Sequence, residues 1–212
     1  MNSDCAPTPF IHPGGYVKIH SMIRAFIAIA LPESTRTALD AFAARLRKDA
    51  VRARWVNPEA MHLTLCFLGD ISPEQTITVR AYLRDACRAV SGPALLTRGI
   101  GAFPSLRKPS VFWAGVETLE GDLAAVQRVA ASCAQAVGIP PDDKAFHAHV
   151  TLARIRKRQD AGIFADALTP YLDTAGALTF GHEFKAANVV LFSSTLTRRG
   201  PVYRPVEEFS LL

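Results

Sequence analysis

Apolar residues recur along this chain with two different periods, and the switches between them mark out its elements. Ile23 to Leu31 is a nearly unbroken apolar run of strand length, closed by Pro32, a residue suited to the first turn of a helix. From Glu33 to Asp49 the period becomes helical, with Leu39, Phe42, Ala43 and Leu46 on one stripe. A short strand over Arg52 to Trp55 and a turn at Asn57-Pro58-Glu59 lead into His62-Leu63-Thr64-Leu65-Cys66-Phe67-Leu68-Gly69. Ser72, followed by Pro73, is a helix N-cap, and that helix runs to Val90 before Ser91-Gly92-Pro93. Strands are predicted over Ala94 to Ile100 and Val111 to Val116, then an amphipathic helix over Leu119 to Val137 stopped by Gly138. Phe146 to Ile155 is a strand, Asp160 to Leu172 a helix, and Glu183 to Ser194 and Tyr203 to Leu211 are strands joined at Gly200-Pro201.

One pattern occurs twice. In an extended chain alternate residues face opposite sides, so Leu63, Leu65 and Phe67 form an apolar face while His62, Thr64 and Cys66 share the other. His149-Val150-Thr151-Leu152-Ala153-Arg154 repeats the arrangement, with Val150 and Leu152 opposite His149 and Thr151. The two histidines are 87 positions apart, too far for a local hairpin. Strand–helix–His-strand units in both halves predict two similar α+β lobes, each lending one His strand to a shared cleft. Residues 1–21, rich in proline and glycine, read as a flexible N-terminal extension, and 22–212 as a single bilobal domain.

Composition narrows the picture. With 212 residues, 49% of them hydrophobic, the chain can bury a substantial core. Its net charge of +5 permits an anionic partner, although the basic residues fall in short clusters and form no tail. Cys5, Cys66, Cys87 and Cys133 are widely spaced, which argues against a structural zinc site or a disulfide framework. Cys66 is read as a packing residue. The apolar run ending at Leu31 is too short to span a bilayer and lacks a cleavage site, so a cytoplasmic protein without membrane association is expected.

Paired histidines suit proton transfer at neutral pH, because imidazole has an unperturbed pKa of about 6.5. Hydrolysis needs one group to take a proton from water and another to give one to the leaving oxygen, each worth on the order of 10²–10⁴-fold. A threonine two residues on lies roughly 6.5–7 Å along the same strand face, where its hydroxyl can donate to a phosphoryl oxygen. Neither motif contains a carboxylate for a metal cage. His147, two residues before His149, either lines the cleft, contacts phosphate, or completes a three-His metal site with His62 and His149. His12, His20 and His182 lie outside both motifs.

These residues resemble the twin HxTx motifs of the two-histidine (2H) phosphoesterases, and in particular the RNA 2′,3′-cyclic phosphodiesterases, also called 2′-5′ RNA ligase-like proteins. Arg24 to Ile29, Trp55-Val56-Asn57-Pro58, Phe67-Leu68-Gly69, Phe103-Pro104-Ser105, Trp113 to Val116 and Gly200-Pro201-Val202-Tyr203 fit the same family, over residues 22–212. The resemblance implies a bilobal α+β fold, with two antiparallel sheets lining a central cleft and helices outside. It implies opening of a 2′,3′-cyclic phosphate at an RNA 3′ end to a 2′-phosphomonoester. His62 would protonate the departing 3′ oxygen, His149 would activate water, and Thr64 and Thr151 would hold phosphoryl oxygens. Arg154 matches the family's arginine after the second motif; strict alternation turns it away from His149, so it needs a bulge or strand end to reach phosphate. Ala148 stands where members usually carry proline, and His147 where a basic residue is often found. Phe26 either stacks on a terminal base or belongs to the core. The expected partners are RNA 3′ ends or cyclic nucleotides, with no cofactor and a monomeric state. Two other readings compete: a protein that binds RNA ends or nucleotides with little or no turnover, and a three-His metallohydrolase.

Overall fold

The computed structural model describes residues 21–50, 53–140, 142–155, 162, 166, 181–198 and 200–212. The expected N-terminal extension lies outside these residues apart from Ser21, as does the helix over 160–172 apart from helical Gly162 and Asp166. The described elements are strands β1 (Ile23–Ala30), β2 (Arg54–Trp55), β3 (His62–Ile71), β4 (Ala94–Phe103), β5 (Val111–Glu120), β6 (His149–Arg154), β7 (His182–Lys185), β8 (Asn188–Thr197) and β9 (Gly200–Ser210). Three α-helices accompany them, α1 (Glu33–Ala50), α2 (Pro73–Cys87) and α3 (Leu123–Ala136), with a 3-10 turn at Pro58–Ala60.

The strands pair antiparallel in the order β7-β4-β5-β6-β3-β1-β8-β9, with β2 added to β6. The two His strands are therefore central neighbours, and each has three strands beyond it. They meet at one ladder pair, Leu63 with Val150, and this narrow seam divides the sheet into its two lobes. Lys185 and Asn188, at the ends of β7 and β8, are three residues apart and so at most about 11 Å apart. Because β7 ends one side of the sheet and β8 lies next to the other end, the sheet must curl into a half-barrel. Its helix-facing side carries the core: Ile27, Ile29, Leu63, Leu65, Val150, Leu152 and Leu191 pack with Leu39, Leu46, Val79, Leu83, Val126 and Cys133.

Local chemistry sets the helix starts. Ser72 and Gln75 form a reciprocal capping box with Pro73 in the first turn of α2. Asp122 accepts the Ala125 amide at the start of α3. That cap corrects the expected start at Leu119, because β5 continues to Glu120 and pairs with Ala94. The expected single strand over Glu183 to Ser194 is two strands. β7 pairs with β4 and β8 with β1, and between them the Ala186 amide donates to Pro93.

Candidate active site

β3 carries two irregularities that sequence alternation does not reveal. Ala28 pairs with Thr64 but Ile27 with Cys66, so Leu65 is an extra residue, and a second shift lies between Phe26 and Ala25. A bulge of this kind moves every later side chain to the opposite face. Cys66 therefore turns to the core side, where it packs against the buried cluster. Burial and the nearby Asp142 carboxylate push its thiol upward. The expected placement of Cys66 beside His62 is thus corrected, while its packing role agrees with this position. Phe67 makes the reverse move: it is 68% exposed on the cleft side, 6.0 Å from the Phe26 ring.

The same device acts on β6. Phe112 pairs with Ala153 and Trp113 with Thr151, leaving Leu152 as the extra residue. Leu152 and Ala153 are consecutive and both fully buried, and Arg154 emerges on the face of His149 and Thr151. Its charge reaches three site groups, opposing protonation of His62 and His149 and favouring ionisation of Tyr203. This is the bulge that Arg154 required.

Carried one residue either way, the Leu63–Val150 pairing sets His62 beside Thr151 and Thr64 beside His149. Four polar side chains thus form a diamond on the cleft face, with the two histidines on its diagonal. Diagonal neighbours in an antiparallel ladder are about 7–8 Å apart, room for one phosphoryl group between two imidazoles.

Both imidazoles are oriented in the same way. His62 Nδ1 lies 2.8 Å from the Ala60 carbonyl oxygen, and His149 Nδ1 lies 2.7 Å from that of His147. A carbonyl only accepts, so in each neutral ring Nδ1 carries the proton and Nε2 keeps its lone pair. When protonated, either ring donates from Nε2. Each ring is also boxed by aromatic residues. His62 sits 4.7 Å from Phe26 and edge-on to Tyr203 at 5.1 Å, with Phe192 at 6.0 Å. His149 stands edge-on to Phe103 at 5.1 Å, with Trp113 at 6.0 Å. The Trp113 indole lies against Gly101, where a Cβ would come within 2.2 Å of its ring. Burial drives His62 down to about 4 and lowers His149 as well, with the neighbouring histidine and Arg154 acting in the same direction. The free site therefore holds two neutral imidazoles at neutral pH.

Phe26 is 3% exposed and stacked on Phe192 at 5.2 Å. It is the floor under His62, which resolves its two readings in favour of burial. Phe103, Trp113, Phe192 and Tyr203 were not singled out as site residues from the sequence. Their shared face depends on pairings between distant strands, although Phe103, Trp113 and Tyr203 fall in stretches that carry the family resemblance. His147 faces the site, 4.6 Å from Trp113 and 6.2 Å from His149 between ring centroids. Among the described residues no three His, Cys, Asp or Glu side chains are arranged to hold a metal ion, so the three-His set does not converge. Ala148 needs no proline to hold it: its carbonyl accepts the Val116 amide and its side chain packs on the core. His182 lies away from the cleft, with Nδ1 3.1 Å from Thr35 Oγ1. No described helix is long and apolar enough to cross a membrane.

Comparison with known proteins agrees with this geometry. Residues 29–113 and 116–203 match the model of the LigT like Phosphoesterase family. An Aquifex aeolicus protein named RNA 2′,3′-cyclic phosphodiesterase is 32% identical over 194 residues, covering 90% of this chain and 98% of the relative. A Thermus thermophilus protein of the same name is 34% identical over 197 residues, covering 89% and 90%. Among solved structures, TT0787 of Thermus thermophilus superposes with a TM-score of 0.70 at 29% identity, over 89% of this chain and 98% of that one. E. coli LigT complexed with 3′-AMP shares the fold, with a TM-score of 0.66 at 24% identity over 90% and 98% of the two chains. The twin motif strands, the half-barrel that makes them neighbours and the matched family model converge on one assignment: the chain belongs to the LigT-like phosphoesterases of the two-histidine superfamily.

Proposed function

We propose that this enzyme hydrolyses the 2′,3′-cyclic phosphate at RNA 3′ ends to a 2′-phosphomonoester, without a metal ion, by acid–base catalysis between His62 and His149. The observation that carries this reading is the His62/Thr64/His149/Thr151 diamond set by the Leu63–Val150 register, with Nδ1 of both histidines held by a carbonyl. Relatives named RNA 2′,3′-cyclic phosphodiesterase supply the substrate class.

In the reaction His149 Nε2 takes a proton from water as its oxygen attacks phosphorus. The P–O3′ bond breaks, and His62 donates its Nε2 proton to the departing O3′. Thr64 and Thr151 donate to the nonbridging oxygens, where charge accumulates in the transition state. Arg154 balances that charge, and Phe67, exposed on the same face, offers a surface for the terminal base. Solvent then returns a proton to His62 and removes one from His149. The acid must be charged before each turnover, yet both rings are neutral in the free site. The substrate's own negative charge, placed between them, favours the required proton.

The test is turnover of an oligonucleotide ending in a 2′,3′-cyclic phosphate, in the presence of a chelator, with the product identified. His62→Ala and His149→Ala should each lower kcat/KM by at least about 10²-fold. Wild-type rates in either variant, loss of activity on chelation, or a 3′-phosphomonoester product would each refute the scheme. Binding without turnover would leave the competing reading, a protein that holds RNA ends.

A further inference from the structure

β2 is only two residues long, yet it adds a second arginine to the site. Arg54 pairs with Arg154 and Trp55 with Ala153. Trp55 anchors the strand, edge-on to the buried Phe112 ring at 6.3 Å and covered by the Arg47 guanidinium 5.4 Å above it. Directly opposed residues share a face, so Arg54 lies on the side of Arg154, whose charge is felt at both motif histidines. Two like charges opposite each other destabilise a ladder. Among the described residues neither arginine has an acidic partner; the ion pairs there belong to Arg36, Arg47, Arg80, Arg84, Arg98 and Arg128.

The Arg54 guanidinium is also placed across the cleft. It lies against Gly200, the first residue of β9 on the other lobe, where a Cβ would meet its Nη2 at 1.8 Å. Gly200 is buried and has a φ of +126°, a conformation that favours glycine. Tyr203, three residues further along β9, stands over His62. Arg54 and Arg154 thus form a cationic pair that begins at the diamond and extends to Gly200 on the other lobe.

From this juxtaposition we propose that Arg54, with Arg154 beside it, forms a second phosphate subsite that binds the phosphodiester linking the cyclic-phosphate nucleotide to its 5′ neighbour. The proposal rests on the phosphodiesterase reading above and narrows its substrate class to RNA strand ends over free cyclic mononucleotides. A guanidinium fork matches the two nonbridging oxygens of a phosphodiester. One anion between the two arginines removes their repulsion. A cyclic mononucleotide with a 5′-hydroxyl has no group to place there.

Two substrates separate the subsite from the reacting centre: a nucleoside 2′,3′-cyclic phosphate with a 5′-hydroxyl, and the same molecule carrying a 5′-O-methyl phosphodiester. Arg54→Gln should lower kcat/KM for the 5′-esterified substrate about 10–100-fold, the range for a hydrogen bond to a charged group. The 5′-hydroxyl substrate should stay within about twofold. The decline of kcat/KM with added salt for the esterified substrate should become shallower in Arg54→Gln, because one screened charge–charge contact is lost. Arg54→Lys keeps the charge and should retain the salt slope while losing part of the affinity. Equal loss on both substrates, or loss on neither, overturns the subsite. If the wild type cleaves neither substrate, the phosphodiesterase reading falls separately. Calorimetric affinities of the same uncleaved pair for wild type, Arg54→Gln and Arg54→Lys then decide the subsite by the same criterion.

Discussion

Burying an imidazole to build this site leaves a pH-dependent cost in the fold, and His62→Gln measures it. His62 takes up its proton near 6.5 in an unfolded chain and at about 4 in the folded site. Between those values the unfolded chain binds a proton that the folded one does not, so acid favours unfolding. The stability linked to His62 is fully present above pH 6.5, falls as the pH drops through that value, and stops changing below pH 4. At pH 5 the loss relative to pH 8 is about 2 kcal/mol, and the complete loss below pH 4 is about 3 kcal/mol. Glutamine fills much of the same space without a titratable proton. Urea unfolding of both proteins at pH 8 and pH 5 gives the required double difference, in which pH effects common to both cancel. The wild type should lose about 2 kcal/mol more than His62→Gln, about 0.7 M in midpoint for an m-value of about 3 kcal/mol/M. Equal losses, within about 0.5 kcal/mol, would mean that His62 is not held neutral by burial.

Three further outcomes follow from the same geometry. The pH profile of kcat/KM should be bell-shaped with its optimum on the acid side of 6.5, since both histidines titrate below their usual value in the free site; kcat should peak at higher pH, because bound phosphate favours the imidazolium. A kcat/KM profile centred above pH 7.5 would contradict this. Phe26→Ala should cost about 3–5 kcal/mol in chemical denaturation, as expected for a buried ring, whereas Phe67→Ala should change stability by less than about 0.5 kcal/mol and raise KM. His147 lies 6.2 Å from His149, so a permanent cation at that position opposes protonation of the ring. His147→Lys should move the limb of kcat/KM that reports His149 down by about 0.5–2 pH units relative to His147→Gln, the span between solvent-like and protein-like screening at that distance; coincident limbs would show no coupling.

Much of the site was legible before folding because its signals are local. A His-x-Thr stretch with apolar residues between declares its own faces, and Ser72-Pro73 and Gly138 act on backbone groups within a turn of themselves. The same local logic failed at Cys66, Phe67 and Arg154. Each lies beyond an extra residue, Leu65 in β3 or Leu152 in β6, that is visible only in the register with the neighbouring strand. It also missed the break between β7 and β8. Ala186 and Ala187 carry no turn signal, and what separates the two halves is which distant partner each one pairs with.

By itself, then, the chain's sequence determined that two similar strands would each present a histidine and a threonine opposite a buried apolar face. That follows from the period of two in an extended backbone, which needs no partner. Only the tertiary structure decided that the strands would be neighbours, with Leu63 against Val150, so that two unremarkable pairs of side chains became one four-residue site. The aromatic box around each imidazole, the reversal of Cys66 and Phe67, and the Arg54–Arg154 pair have the same origin. Each is a contact between segments far apart in sequence, set by ladder register and sheet curl.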